Sequence, residues 1–313
     1  MIAERLITQQ LITNEASRID VLRLDLVHPH VSGNKWFKLK LNLKEAIQQG
    51  KTTLLTFGGA YSNHIAATAF AAEKSGLKSI GVIRGEVQNA ANSTLSKANE
   101  LGMQLHFVDR EIYKRKDDLN FLDTLNEKFG DFYLVPEGGN NMLGAAGCKG
   151  MIEPFPEYDY LLCACGTGTT FAGMMLGKQK HQVLIGINVL KGENQLVLEA
   201  NQMLRNMRQG GEVEVMGNEA LDNELLEHSC ITDRYAFSGY AGFDQALIDF
   251  KAQFEKEHQL PLDYVYTTKL FYAAFDLLGK KKFKKNTSVL IVHSGGLQGN
   301  AGFEKRYHHK LRR

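Results

Sequence analysis

The amino-acid sequence predicts an α/β protein built from two open, twisted, mostly parallel sheets with helices on both faces of each sheet. Two series of short apolar runs support this fold class, because each run is followed by a segment with helical periodicity or by glycine-rich sequence. A glycine-rich passage, 136–147, separates the two series and is typical of a crossover between domains. With 313 residues, the chain is also longer than a single hydrophobic core normally serves.

The first series begins near residue 52 and predicts three buried parallel strands. Continuous apolar runs without alternation are typical of strands that are covered on both faces. The predicted strands are 53–57, 79–83 and 105–108, and the predicted helices are 63–76, 91–102 and 117–129.

The second series predicts three further strands, at 160–164, 183–187 and 288–292. Because each series is a complete α/β unit, we expect two domains. The small α/β domain would cover 39–147, and a large discontinuous domain would combine 1–38 with 148–313.

The charge balance and the lengths of the apolar runs argue against nucleic acid and membranes as partners. The chain has 37 Lys and Arg against 35 Asp and Glu, so its net charge of +2 creates no field that would attract nucleic acid. We interpret the one dense basic run, 305–313, as a solvated tail. No apolar run approaches the roughly 18 residues of a membrane helix, so we expect no membrane association and a cytoplasmic location.

The four cysteines indicate neither a metal site nor a disulfide framework. They form no C-x-x-C pair and have no histidine at the spacing of metal ligands. We therefore expect no metal and four reduced, mostly buried thiols, at Cys148, Cys163, Cys165 and Cys230.

The first candidate site is a lysine at a tight corner. Lys35 follows Gly33 and Asn34 and precedes a helical run that continues to Ala46. A lysine that is held in one direction and partly removed from water is suited to form a Schiff base. The alternative is a surface lysine at the start of a helix, which is the commoner environment of lysine.

The second candidate site follows the first predicted strand. Gly58 and Gly59 lie shortly before Ser62, Asn63 and an alanine-rich helix. The N-terminus of this helix offers free N–H groups to an anion, and the glycines let the backbone approach a ligand closely. Helix capping by Ser62 or Asn63 alone is the alternative interpretation.

The third candidate site is a loop that again follows an apolar strand and precedes a helix. It consists of Gly166, Thr167, Gly168, Thr169 and Thr170. The loop predicts a phosphate site, because backbone N–H groups, a helix dipole and hydroxyl groups converge on an anion. It lacks both the lysine of a nucleotide P-loop and the G-x-G-x-x-G spacing of a dinucleotide site. A turn without a ligand is the alternative.

Taken together, these segments resemble, in order, the pyridoxal 5′-phosphate (PLP) enzymes of the tryptophan-synthase β-like fold, also called fold type II. Within this fold, the segments are most similar to those of one branch, the 1-aminocyclopropane-1-carboxylate deaminase and D-cysteine desulfhydrase family. Two more segments carry the resemblance: Asp263–Lys269 is similar to the D-P-V-Y-[ET]-G-K motif of this branch, and His293–Gly296 to its final glycine turn. The matches span residues 23–299.

The resemblance implies roles for the candidate residues. Lys35 would form the Schiff base with PLP and later remove the α-proton of the substrate. Asn63 would hydrogen-bond the 3′-oxygen of PLP, and Ser62 would receive the substrate carboxylate. The loop Gly166–Thr170 would bind the phosphate.

The resemblance also implies the surroundings of the substrate. Tyr240 and Tyr266 would line the substrate side of the site, although a half-buried core aromatic is an equal alternative for Tyr240. PLP would lie in a cleft between the two domains, a small amino acid would be the substrate, and the chain would form a homodimer.

Position 267 distinguishes the two activities of this family. The resemblance implies that Thr267 meets the pyridine nitrogen, where the deaminase type has a glutamate that keeps the ring protonated. A hydroxyl gives a weaker electron sink that favours β-elimination, and His64 matches the desulfhydrase type. We therefore expect a PLP-dependent carbon–sulfur lyase that converts D-cysteine to sulfide, pyruvate and ammonia. The alternatives are 1-aminocyclopropane-1-carboxylate deaminase and a non-catalytic protein that binds a phosphate ligand.

Overall fold

The computed structural model describes residues 5–14, 17–28, 31, 33–85, 92–207 and 215–311. Its strands are β1 (Thr8–Asn14), β2 (Ser17–Arg23), β3 (Thr53–Gly59), β4 (Lys78–Arg84), β5 (Met103–Val108), β6 (Tyr133–Val135), β7 (Tyr160–Cys165), β8 (Val183–Asn188), β9 (Cys230–Thr232) and β10 (Thr287–His293). Its helices are α1 (Asn34–Gln48), α2 (Asn63–Lys74), α3 (Ser93–Glu100), α4 (Arg110–Lys114), α5 (Leu119–Phe129), α6 (Met142–Lys149), α7 (Thr169–Gly177), α8 (Glu193–Met207), α9 (Gln245–His258), α10 (Thr267–Gly279) and α11 (Asn300–Leu311).

The larger sheet has six strands in the order β1-β2-β10-β7-β8-β9. Only β1 and β2 pair in antiparallel fashion, as a hairpin, and every other neighbouring pair is parallel. Strand β2 pairs along the whole of β10, from Ser17 opposite Thr287 to Arg23 opposite His293. The two ends of the chain therefore meet in one sheet.

The smaller sheet has four parallel strands in the order β5-β4-β3-β6. Both β3 and β4 bury five consecutive residues, because helices cover this sheet on both sides. Two mostly parallel sheets surrounded by helices confirm the predicted fold class.

All six predicted strands are present, each with slightly longer bounds than the apolar run that predicted it. The helix predicted over 117–129 begins at Leu119, since Asp118 caps it by accepting hydrogen bonds from the N–H groups of Asn120 and Phe121 at 2.9 and 3.3 Å. The helix predicted over 91–102 is α3, and residue 91 lies outside the described residues.

Helix α6 connects the two series of elements by packing between α1 and α7. A Cβ atom at Gly147 would overlap the carbonyl oxygen of Phe37, so α6 approaches α1 more closely than any other residue would allow. This packing holds the start of α1 beside the start of α7. The strands of the smaller sheet all fall within 39–147 and those of the larger sheet outside it, and the domain boundaries themselves stay a prediction.

The described residues show neither a metal cluster nor a membrane span. No described helix combines the length and apolar character needed to cross a membrane. No group of three or more potential metal ligands occurs in the same part of the chain. All four cysteines are buried and free of disulfides.

Candidate active site

A cavity of about 580 Å³ opens where the carboxyl ends of strands from both sheets meet. Gly59 and Arg84, at the ends of β3 and β4, line it from the smaller sheet. Cys165, at the end of β7, and Ser294, directly after β10, line it from the larger sheet. Ligands of open α/β sheets bind at such carboxyl ends, so this cavity is the candidate active site.

Lys35 lies in the cavity because the backbone turns sharply at the start of α1. Gly33 has φ +74°, and a Cβ atom there would overlap the carbonyl oxygen of Ser294, so only glycine fits. The Lys35 ammonium donates to Asn34 Oδ1 at 3.3 Å, and Asn34 Nδ2 donates to Thr170 Oγ1 at 2.8 Å. Burial, with a smaller contribution from the charge of Lys38, lowers the pKa of Lys35 to about 7.

The loop before α7 is a candidate anion site. Gly168 adopts a left-handed conformation with φ +69° and lines the cavity at the start of α7. Lys38 Nζ donates to the carbonyl oxygen of Gly138 at 3.1 Å and to Thr167 Oγ1 at 3.4 Å. A buried amine therefore lies beside this helix N-terminus, and burial lowers its pKa, which an anion bound there would oppose.

Lys38 is a site residue that sequence analysis missed. It follows Lys35 by three positions on α1, and residues at that spacing share one helix face. The three-residue spacing from Lys35 was therefore the feature of the sequence that could have identified Lys38 as a site residue.

The start of α2 is a second candidate anion site. Ser62 is the N-cap of α2, and Ser62 and Asn63 both line the cavity. Asn63 Oδ1 is buried and has no hydrogen-bond partner among the described residues. Since buried polar atoms are normally paired, this oxygen indicates a place for a ligand.

Two tyrosines form an aromatic wall. The rings of Tyr240 and Tyr266 meet edge to face, with centroids 6.4 Å apart. Both line the cavity, and Tyr240 is 60% exposed, so it is no core aromatic. Burial, with the nearby hydroxyl of Tyr240, raises the pKa of Tyr266 and keeps its hydroxyl protonated.

The structure does not bring three of the sequence-predicted polar groups to the cavity wall. The Thr267 hydroxyl donates to Asp263 Oδ1 at 2.8 Å and is fully buried. The Thr169 hydroxyl donates to Asn140 Oδ1 at 2.7 Å. His64 is buried with its Nε2 atom 2.9 Å from Thr56 Oγ1. Nearby partners within the protein thus engage all three side chains.

The interpretation of 305–313 as a solvated tail needs correction. Residues up to Leu311 belong to α11, and Arg306 lines the cavity together with Arg84. Residues 312 and 313 lie outside the described residues. Sequence analysis singled out neither arginine, because their approach depends on how α11 and β4 meet.

Lys269 positions the loop that carries Tyr240. Its fully buried ammonium donates to the carbonyl oxygens of Ala236 and Gly239 at 2.8 and 2.6 Å, and to that of Val189 at 3.3 Å. Burial lowers the pKa of Lys269 to about 8. One side chain therefore donates to three carbonyl groups of two segments, and those of Ala236 and Gly239 also accept the N–H groups of Gly239 and Gly242.

Replacing Lys269 with methionine is expected to lower the free energy of unfolding by about 2–4 kcal/mol, because the three buried hydrogen bonds that its ammonium donates are lost. Urea denaturation measures this change. Lys280→Met is the matched control, since Lys280 pairs with Asp276 on the protein surface and should change stability by about 1 kcal/mol or less. Equal effects of both substitutions would show that Lys269 does not hold the loop.

The residues present fit PLP. The α7 N-terminus and Lys38 suit a phosphate, the α2 N-terminus suits a carboxylate, and the Lys35 amine lines the same cavity with a lowered pKa. The unpaired Asn63 Oδ1 leaves a polar position for a bound group.

Two curated relatives match nearly the whole chain. The chain is 31% identical over 293 residues to a protein of Thermotoga maritima named putative 1-aminocyclopropane-1-carboxylate deaminase, covering 90% of this chain and 89% of the relative. It is 28% identical over 303 residues to a D-cysteine desulfhydrase of Klebsiella pneumoniae, covering 89% of this chain and 86% of the relative.

Two solved structures share the fold. A 1-aminocyclopropane-1-carboxylate (ACC) deaminase homologue matches with a TM-score of 0.78 at 22% identity, covering 99% of this chain and 94% of that chain. A hydrogen sulfide-producing enzyme from Fusobacterium nucleatum matches with a TM-score of 0.63 at 15% identity, covering 94% and 96%. A sequence model of the pyridoxal-phosphate dependent enzymes matches residues 16–295, and the chain therefore belongs to this PLP-dependent enzyme family.

Proposed function

We propose that the protein is a PLP-dependent lyase that removes the β-substituent of a small amino acid, with D-cysteine as the first substrate to test. In that reaction D-cysteine and water give sulfide, pyruvate and ammonia. One observation carries the proposal: a lysine amine with a pKa of about 7 lies in the same cavity as two separate candidate anion sites.

When bound, PLP supplies an electron sink that makes the α-proton of an amino acid acidic. Lys35 would hold the cofactor covalently and then accept the α-proton at Nζ, because its lowered pKa leaves a substantial neutral fraction near pH 7. The N–H groups at the α2 N-terminus and Ser62 would hold the substrate carboxylate.

The phosphate would be bound by the α7 N-terminus with Thr167, Gly168 and Thr170, and by Lys38. Asn63 would face the 3′-oxygen, and Tyr240 and Tyr266 would cover the substrate and restrict water. Gly166 lies against Tyr266, with 3.3 Å between a Cβ placed at Gly166 and the ring, so a larger residue would crowd this wall.

ACC deaminase is the second candidate, because one of the relatives bears that name. Thr267 still replaces the glutamate of the deaminase type, so this position contributes no carboxylate to the cavity. Glu137 is the one acidic residue that lines it in the described part of the chain. The absence of a carboxylate at position 267 favours β-elimination, and the contact of Thr267 with the pyridine nitrogen stays a prediction.

A substrate panel tests the proposal. Purified protein is incubated with both enantiomers of cysteine and serine and with the cyclopropane substrate, and 2-oxo acid release is measured. Release of pyruvate from D-cysteine supports the desulfhydrase, and release of 2-oxobutanoate from the cyclopropane substrate supports the deaminase. A protein that binds PLP and releases neither product would support a non-catalytic role.

The domain boundaries, a homodimer and a cytoplasmic location stay predictions. Sedimentation equilibrium of the purified protein measures the oligomeric state directly, and a mass of 35.0 kDa would contradict the homodimer.

The pKa of Lys35 predicts how the apoprotein reacts with PLP. Only the neutral amine attacks an aldehyde, so the rate of covalent attachment should rise with pH up to about 7 and then level off. An ordinary lysine side chain, such as the free ε-amine of Nα-acetyl-lysine, should react at a rate that still rises above pH 9. Stopped-flow absorbance measures both rates. A profile for the protein that follows Nα-acetyl-lysine would contradict the lowered pKa.

A further inference from the structure

The cavity has an excess of positive charge. Among the described residues, the ionisable basic and acidic side chains that line it are Lys35, Lys38, Arg84, Glu137 and Arg306, so four basic groups face one acidic group. The proposed function uses Lys35 for covalent attachment and Lys38 for the phosphate. It leaves the two arginines without a role.

Glu137 does not neutralise the arginines, because other residues engage it. The Tyr113 hydroxyl donates to Glu137 Oε1 at 2.9 Å, and Lys116 Nζ lies 3.7 Å from Glu137 Oε2. Neither Arg84 nor Arg306 has a carboxylate within 4.0 Å among the described residues. Both guanidinium groups are therefore available to an anion.

The two arginines approach the cavity from different elements. Arg84 ends β4, lies over the ring of Tyr113 at 5.4 Å, and has Nη2 3.6 Å from the position of a Cβ at Gly59. Arg306 lies one turn after Gly302, which packs directly against the ring of Tyr61 at the cavity wall. The cation–π contact with Tyr113 helps to position the Arg84 guanidinium.

Both arginines line the same cavity as Tyr240 and Tyr266. Arg84 enters from β4 and Arg306 from α11, so two positive charges from different elements border this cavity.

We propose that Arg84 and Arg306 select an amino acid whose β-substituent carries a negative charge, such as a phosphate ester or a sulfate ester. This inference rests on the proposed function and names its substrate class. For O-phosphoserine, the α-proton passes to Lys35 Nζ, and the Cβ–O bond breaks with its electron pair leaving on phosphate. Addition of water then gives pyruvate and ammonia. The arginines would bind the substituent and stabilise it as it departs.

The test compares an anionic substrate with a neutral one. The ratio of kcat/KM for O-phosphoserine to that for β-chloroalanine is measured for both enantiomers in the PLP-loaded enzyme and its variants. We expect Arg84→Ala and Arg306→Ala each to lower this ratio by about tenfold to a hundredfold, since each removes one charge-assisted contact. Arg84→Lys should restore part of the ratio. Serine O-sulfate in place of O-phosphoserine shows whether the arginines select phosphate alone, because its Cβ–O bond breaks in the same way with the electron pair leaving on sulfate.

Arg110→Ala is the matched control, because Arg110 is exposed on α4 and does not line the cavity. It should leave the ratio unchanged. An equal ratio in Arg84→Ala, Arg306→Ala and Arg110→Ala would overturn the inference.

A binding experiment separates this inference from the proposed function. Calorimetry compares the binding of aspartate with that of its neutral isostere asparagine. We expect the parent protein to bind aspartate about tenfold more tightly, and Arg84→Ala to lose this preference. Equal binding would overturn the inference even if elimination occurs. Absence of elimination from every substrate, with the preference for aspartate intact, would overturn the proposed function and leave the charge selection standing.

Discussion

Replacement of Lys35 with alanine is expected to lower kcat/KM for every substrate by roughly ten-thousandfold. The loss should be this large because Lys35 supplies both the covalent link to PLP and the base for the α-proton, and no second amine is placed to do both. Lys38 Nζ lies beside Lys35 but is held by the carbonyl oxygen of Gly138 and by Thr167. Assays of 2-oxo acid release and of bound cofactor measure the two losses separately.

The matched control is Lys44→Ala, which removes an exposed lysine from the same helix. It should retain activity and stability, so that a loss in Lys35→Ala cannot be assigned to a weakened α1. Activity in Lys35→Ala within tenfold of the parent would show that another group performs the proton transfer.

Replacement of Lys38 with methionine is expected to weaken PLP binding by about 1.5–3 kcal/mol, or roughly tenfold to a hundredfold. The buried ammonium lies at the α7 N-terminus, where a phosphate would make a charge-assisted contact with it. The dissociation constant is measured by titrating apoprotein with PLP and following the absorbance of the bound form. Methionine keeps the length of the side chain, so packing changes little.

Two further variants test the same site. Thr170→Val should also weaken PLP binding, because Thr170 lines the cavity, whereas Thr169→Val should act mainly through stability because its hydroxyl bonds to Asn140. Unchanged PLP affinity in Lys38→Met would place the phosphate elsewhere in the cavity.

The apolar runs predicted the buried strands well because parallel strands covered on both faces need apolar side chains at every position. The hairpin of β1 and β2 could not be predicted in this way. The segment Thr8–Asn14 has two apolar residues, Leu11 and Ile12, which are adjacent and give no alternation, and its partner β2 is placed by pairing with β10, far along the chain. Pairing over such a separation leaves no local pattern.

The residues of the candidate site also divide into those that local sequence predicts and those that only long-range contacts place. Lys35, Ser62 and the loop before α7 follow strands or corners directly, so local sequence indicated them. Lys38 and Lys269 act on carbonyl groups more than 25 residues away, and these contacts arise only when the chain folds. The direction of the Thr267 hydroxyl depends on Asp263, which accepts the N–H of Thr267 at 2.8 Å and thereby turns the hydroxyl to itself.

Borohydride reduction of the PLP-loaded protein, followed by peptide mass mapping, tests the central claim most directly. Reduction makes the link between the cofactor and its lysine permanent, and the mass of PLP then marks one peptide. The geometry of α1 predicts the label on Lys35 in the parent protein and in Lys38→Met, and no label in Lys35→Ala. A label on Lys38, or on any lysine outside the cavity, would contradict the assignment of this active site.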